Sequence, residues 1–140
     1  MITHLLDTSV YCQPIRRKPL ASVRQHWSET GDANLCISVI CEIEVLQGLE
    51  MKSSERLWAL YRNVLQNRLP ILLIERAVAE QYARLAAQIR TKGEPRPPFD
   101  LLIAATALAH RLVVATCDAD HFTGIDGLEV QDGSTFEANR

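Results

Sequence analysis

Short apolar runs alternating with longer helical patterns constrain this chain more than any other feature. Four such runs stand out: Ile2 with Leu5 and Leu6, Asn34 to Ser38, Ile71 to Ile74, and Leu112 to Thr116. Each is the length of a strand and bounded by turn or capping residues, as expected of strands buried on both faces. Between them lie helical patterns. Leu20, Val23 and Trp27 share one face of a helix that closes at Gly31-Asp32, and Val39 to Leu49 follows Ser38 as a potential cap. Ser54 to Arg68 is amphipathic through Leu57, Trp58, Leu60, Tyr61, Val64 and Leu65 and is broken at Pro70. Glu75 to Lys92 and Leu101 to Arg111 complete the set. Strand–helix alternation predicts an α/β fold with a central, mostly parallel sheet between helices.

Leu128-Glu129-Val130 reads as a short last strand. The expected organisation is one domain over 1–130 and a polar, frayed tail over 131–140. At 140 residues the chain can bury a core without disulfide or metal staples.

In a parallel sheet, right-handed crossovers deliver every strand end to one edge, and ligand sites form in the crevice there. Asp7 stands where the first strand stops and is followed by Thr8 and Ser9. Taken alone, Asp7 or Thr8 reads as a helix cap. The fourth run repeats the pattern in altered form, ending Thr116-Cys117-Asp118, with Asp120 and His121 close behind. Here Asp120 reads as a surface acid and His121 as structural rather than as a general base.

Two further acids belong to helices. Glu42 and Glu44 are two residues apart, about 200° around a helix, so only one of them can face a site. Gly48 lies one turn beyond Glu44 on the same face and leaves room beside it, and helical side chains lean toward the N-terminus. Glu44 is therefore the candidate. Asp100 opens the helix that starts at Leu101, where the macrodipole favours its ionised form.

Carboxylates gathered in one crevice repel one another and stay ionised only beside a cation. Oxygen donors without His or Cys point to Mg²⁺ or Mn²⁺ rather than zinc. Such an ion lowers the pKa of a bound water and neutralises a scissile phosphate, the chemistry of phosphodiester hydrolysis.

The segments Leu5-Leu6-Asp7-Thr8-Ser9, Ile37-Ser38-Val39-Ile40 with Glu44 and Gly48, Asp100 to Ala107, and Thr116-Cys117-Asp118 with His121-Phe122 together resemble the PIN domain, closest to VapC-type toxins of toxin-antitoxin modules. The resemblance runs in family order from Ile2 to about Val130. It implies a PIN-like three-layer fold and a small Mg²⁺-dependent endoribonuclease, usually a homodimer, inhibited by a small cognate antitoxin bound near its active site. By motif position Asp7, Glu44, Asp100 and Asp118 carry over as the acidic, metal-binding site, with Thr116 as an orienting hydroxyl. Asp118 occupies a position where the family often has Asn.

Composition narrows the partners. Fifteen Lys and Arg against seventeen Asp and Glu give a net charge of −2, so contact with RNA must be local. Candidates are Arg16, Arg17 and Lys18, set between Pro14 and Pro19, and the arginines of Ser54 to Arg68. Trp58 and Tyr61 read as core or interface aromatics rather than base-stacking ones. The four cysteines show no paired-ligand spacing and the longest apolar run, Leu101 to Ala109, is far short of a membrane span. A soluble, cytoplasmic protein is expected.

Two competing readings remain at this level. A phosphotransferase of the haloacid-dehalogenase type also places an Asp after its first strand but wants a second acid two residues on, where this chain has Ser9. A non-catalytic module would use the acidic edge to hold basic partners without metal.

Overall fold

The computed structural model describes residues 1–134. Its elements in chain order are β1 (His4–Leu6), α1 (Thr8–Tyr11), α2 (Ala21–Thr30), β2 (Leu35–Ser38), α3 (Val39–Lys52), α4 (Glu55–Val64), β3 (Ile71–Leu72), α5 (Arg76–Lys92), α6 (Pro98–His110), β4 (Val113–Thr116) and β5 (Val130–Asp132). The strands form one five-stranded sheet in the order β3-β2-β1-β4-β5, and every neighbouring pair is parallel.

Side-chain alternation along these strands builds two cores, one on each face. Leu6, Leu35, Ile37 and Ala115 face a cluster with Val10, Tyr11, Val23, Trp27, Val45 and Tyr61. Their neighbours Leu5, Cys36 and Val114 face the opposite cluster with Val78, Leu85, Ile103, Ala104, Ala107 and Phe122. The chain works outward from β1 through β2 to β3, then returns across the other face through α5 and α6 to place β4 beside β1. The direction of winding reverses at β1, and a crevice opens beyond the carboxyl ends at that reversal. Asp7 is the first residue past β1, its amide still bonded to the Ala115 carbonyl at 2.9 Å.

Several boundaries differ from the sequence reading. The third strand covers only Ile71 and Leu72, because β2 ends at Ser38 and offers no partner beyond the Ser38–Leu72 pair. Leu73 is consequently 59% exposed. Helix α4 ends at Val64, short of Arg68, and Asn67 adopts a positive φ of 62°. Helix α6 begins at Pro98 as its first residue, which puts Asp100 inside the first turn rather than ahead of it. The last strand includes Gln131 and Asp132, paired with Ala115 and Thr116, so these two residues are sheet and not tail. The remainder of the expected tail, 135–140, lies outside the described residues. Among the described residues no helix is long and apolar enough to cross a membrane.

Candidate active site

Four chain segments supply the crevice at the carboxyl edge. Asp7, Thr8 and Ser9 come from the β1–α1 junction, Glu44 from α3, Pro97 to Asp100 from the start of α6, and Asp118 and His121 from the turn after β4, with Arg16 at the margin. The space they enclose is about 590 Å³. All four predicted acids therefore line one crevice. Glu42 is not among its residues; its charge instead acts on the phenols of Tyr11 and Tyr61.

Asp7 occupies the backbone position that caps α1, and its carbonyl accepts from the amides of Val10 and Tyr11. Its carboxylate caps nothing. Instead Oδ2 accepts from Ser9 Oγ at 2.9 Å and from Thr116 Oγ1 at 2.8 Å. Each hydroxyl is itself held by a backbone amide, Ser9 Oγ accepting from Cys117 N and Thr116 Oγ1 from Asp118 N, both at 2.9 Å. A hydroxyl with its lone pair occupied by an amide turns its proton toward the acid. Asp7 is 5% exposed and cannot swing away from the crevice without breaking both bonds. Ser9 thus serves Asp7 at the position where the phosphotransferase reading wanted a second acid.

Thr8 reaches the other way and donates to Glu44 Oε1 at 2.7 Å. Helix α3, capped as expected by Ser38 Oγ on Cys41 N, aims Glu44 back at the strand edge. A Cβ at Gly48 would meet nothing within 4 Å, the Glu44 side chain included, so neither packing nor room for that carboxylate requires a glycine there, although both residues line one trough. Asp100 meets His121, whose Nδ1 lies 3.0 Å from Oδ2.

Crowding shows in the acidities. Burial raises the pKa of Glu44, and the charges of Asp7 and Asp100 raise it further, against the hydrogen bond from Thr8. Burial likewise raises Asp100, with Asp7 and Asp118 adding to the shift and His121 opposing it. In both acids burial is the larger cause, and the neighbouring carboxylates add to it. Among the described residues no three His, Cys, Asp or Glu side chains converge into a ready-made coordination shell. The acids that line the crevice offer oxygen donors, the kind Mg²⁺ takes, while the His121 ring is engaged with Asp100.

A second concavity continues from the crevice and shares Thr8, Arg16 and Glu44 with it. This trough of about 1000 Å³ is lined on its polar side by Arg16, Arg17, Lys18, Lys52 and Arg56. It unites the basic turn with Arg56, whereas the other two candidates of the Ser54 segment stand outside it, Arg62 over the Trp58 ring and Arg68 paired with Asp32. The aromatics of that segment play the other part foreseen for them: Tyr61 is buried and meets Trp58 edge-on at 6.2 Å between ring centres.

Sequence reasoning did not single out Ser9 as a holder of Asp7, or Phe99, which lines the crevice and remains 39% exposed. A phenylalanine directly ahead of a candidate acid and after two prolines was the available signal.

Comparison with known proteins agrees with this architecture. The PIN domain profile matches residues 4–128. The chain is 30% identical over 135 residues to the tRNA(fMet)-specific endonuclease VapC of Shigella flexneri, covering 96% of this chain and 100% of that protein. The DNA-bound VapBC structure from Salmonella typhimurium superposes with a TM-score of 0.83 at 29% identity, covering 95% of this chain and 99% of that one. FitAcB from Neisseria gonorrhoeae superposes with a TM-score of 0.86 at 27% identity, covering 96% and 100%.

Proposed function

The chain belongs to the PIN domain family, and from that premise we propose that it is a Mg²⁺-dependent endoribonuclease, acting in the cytoplasm as the toxin of a toxin-antitoxin pair. The observation that carries this reading is the convergence of Asp7, Glu44, Asp100 and Asp118 from four separate segments on one crevice beside a basic trough. The names of the similar proteins support it: an endonuclease VapC, a toxin FitB, and complexes of the VapBC and FitAB kind.

Asp7, Glu44, Asp100 and Asp118 would supply the carboxylates for the ion, one or two directly and the others through its waters, with Mn²⁺ as a substitute. When bound, the ion supplies an activated water and neutralises the scissile phosphate. The remaining work belongs to the chain. Ser9 and Thr116 fix the rotamer of Asp7, so this carboxylate presents the same oxygen at every turnover. Thr8 does the same for Glu44. Arg16, Arg17, Lys18, Lys52 and Arg56 bind the RNA backbone along the trough and lead a phosphate to the acids. No side chain need act as nucleophile. The four cysteines, including Cys12 and Cys117 near the site, are free thiols, in keeping with a reducing compartment.

A small antitoxin is the expected inhibitor, bound where it blocks the crevice. The expected assembly is a homodimer; exposed Leu73, next to edge strand β3, is an apolar surface a second copy can cover.

The test is cleavage of RNA by purified protein with Mg²⁺ or Mn²⁺, with chelator, and with Asp7→Asn, alongside mapping of RNA ends in cells expressing each form. Cleavage that needs the metal and Asp7 is expected. Cleavage retained by Asp7→Asn or in chelator sinks the assignment, and growth arrest by the inactive variant sinks RNA cleavage as its cause.

A further inference from the structure

The turn after β4 is held from outside by one arginine. Arg96 lies in the loop that feeds α6, four residues before Asp100, and its guanidinium faces a row of backbone carbonyls across the crevice mouth. Nη1 donates to the carbonyls of His121 at 2.8 Å and Asp120 at 3.3 Å, and Nη2 donates to that of Thr123 at 2.5 Å. Gly124 completes the cradle. It adopts a positive φ of 82°, so a side chain there would be strained, while a Cβ would meet Arg96 Nη2 in ordinary contact at 3.4 Å.

From inside, the same turn is pinned by Phe122 and Ile125, both buried in the core on the α6 side of the sheet. Those anchors fix its depth, but neither reaches the residues that face the acids. Within the turn, His121 N bonds back to the Asp118 carbonyl at 2.9 Å, so Asp118 and His121 move as one unit. His121 then meets Asp100 through Nδ1. The Arg96-to-Asp100 segment and the Asp118-to-Thr123 turn are thus joined twice, by the Arg96 guanidinium on backbone carbonyls and by His121 on the Asp100 carboxylate.

We propose that Arg96 is a positioning residue for the acidic centre: by clamping the Asp120, His121 and Thr123 carbonyls to the entry of α6, it sets where His121 and Asp118 stand relative to Asp100. The fork geometry of a guanidinium suits several carbonyls at once, where an ammonium reaches fewer of them with good alignment. This inference rests on the metal-nuclease reading and adds to it a residue outside the crevice.

The experiment compares wild type, Arg96→Ala, Arg96→Lys, His121→Ala and the Arg96→Ala/His121→Ala double variant. Mn²⁺ binding is read by electron paramagnetic resonance of the free ion without RNA, and amide hydrogen exchange over 118–124 is read in parallel. Arg96→Ala is expected to weaken Mn²⁺ binding by about tenfold, in the range seen for residues that orient ligands, and to speed exchange across the turn. Arg96→Lys should recover part of both losses. The double variant should bind no more weakly than the worse single variant, since both act through the same turn. Wild-type Mn²⁺ affinity in Arg96→Ala, or losses that multiply in the double variant, overturns the clamp while leaving the nuclease reading intact. A wild-type protein that binds no Mn²⁺ overturns the metal centre itself, and the clamp with it.

Discussion

Thr116 Oγ1 donates to Asp7 Oδ2 at 2.8 Å across 109 positions of sequence, and the same oxygen accepts the Asp118 amide. Thr116 is fully buried, so one hydroxyl fixes a carboxylate of β1 and the first residues after β4 together. Thr116→Val keeps the shape and removes the oxygen. It should slow RNA cleavage about 10- to 100-fold and cost about 1–3 kcal/mol of stability, because the Asp118 amide loses its partner and the Asp7 oxygen keeps only Ser9. Thr116→Ser should retain most of the activity. Cleavage rates and denaturant melts of the two variants are the check.

Asp7→Asn should remove cleavage by at least about a hundredfold while the protein stays folded. Taking one charge from the crevice also relieves Glu44 and Asp100, whose pKa values Asp7 helps to raise. The variant should therefore melt no lower than wild type in the absence of metal, as circular dichroism can show. A large drop in melting temperature would mean that Asp7 is chiefly structural.

Glu44 and Asp100 have raised folded pKa values, so the folded protein keeps protons that the unfolded chain has already lost. Folding is favoured below the ordinary carboxylate values, and this contribution disappears as pH climbs through the raised ones. A divalent ion bound among these carboxylates would take over the role of those protons. Mn²⁺ should raise the melting temperature at about pH 8 and much less at about pH 5. Glu44→Gln should flatten the metal-free pH dependence. Calorimetric scans with chelator and with Mn²⁺ at both pH values measure this, and an equal Mn²⁺ effect at the two would contradict it.

Arg17→Ala with Lys18→Ala should raise KM for RNA and leave kcat nearly unchanged, since both residues line the trough and neither lines the acidic crevice. If both contact phosphates, the slope of log affinity against log salt should shrink by about 1.4 for single-stranded RNA. Binding titrations over a range of salt provide the slope.

A remote cluster supplies the control. Arg68 donates to Asp32 Oδ2 at 2.8 Å and lies over Trp27 at 4.7 Å from the ring centre, while Trp27 Nε1 donates to Asp32 Oδ1 at 2.6 Å. The Arg68 hydrogen bond lowers the Asp32 pKa, so its contribution is present above the ordinary carboxylate value and lost as pH falls through the folded one. Both side chains are more than a third exposed, which limits Arg68→Ala to about 1 kcal/mol. Cleavage should be unaffected.

Local pattern made the strand ends, the choice of Glu44 over Glu42 and the placement of Asp7 legible. Strand periodicity depends on neighbours in sequence, and so does the offset of Glu44 from Gly48. What sequence did not show lies between distant segments. Ser9 to Cys117, Thr116 to Asp7 and Arg96 to His121 are contacts set by sheet order, and nothing at either end announces its partner. The third run was read too long because Leu73 and Ile74 continue its apolar composition, whereas pairing stops where β2 turns into α3. Asp7 was ambiguous for a related reason: its backbone does cap α1 and its carboxylate does something else.

The position of β4 beside β1 has a bearing on synthesis. Asp7 is made well before its partner, for Thr116 follows it by 109 positions and Asp118 comes two residues later still. A nascent polypeptide on the ribosome therefore carries three of its four acids without the hydroxyl that orients the first. Its cutting centre closes only once β4 has left the exit tunnel, long after the carboxylate at its heart was made.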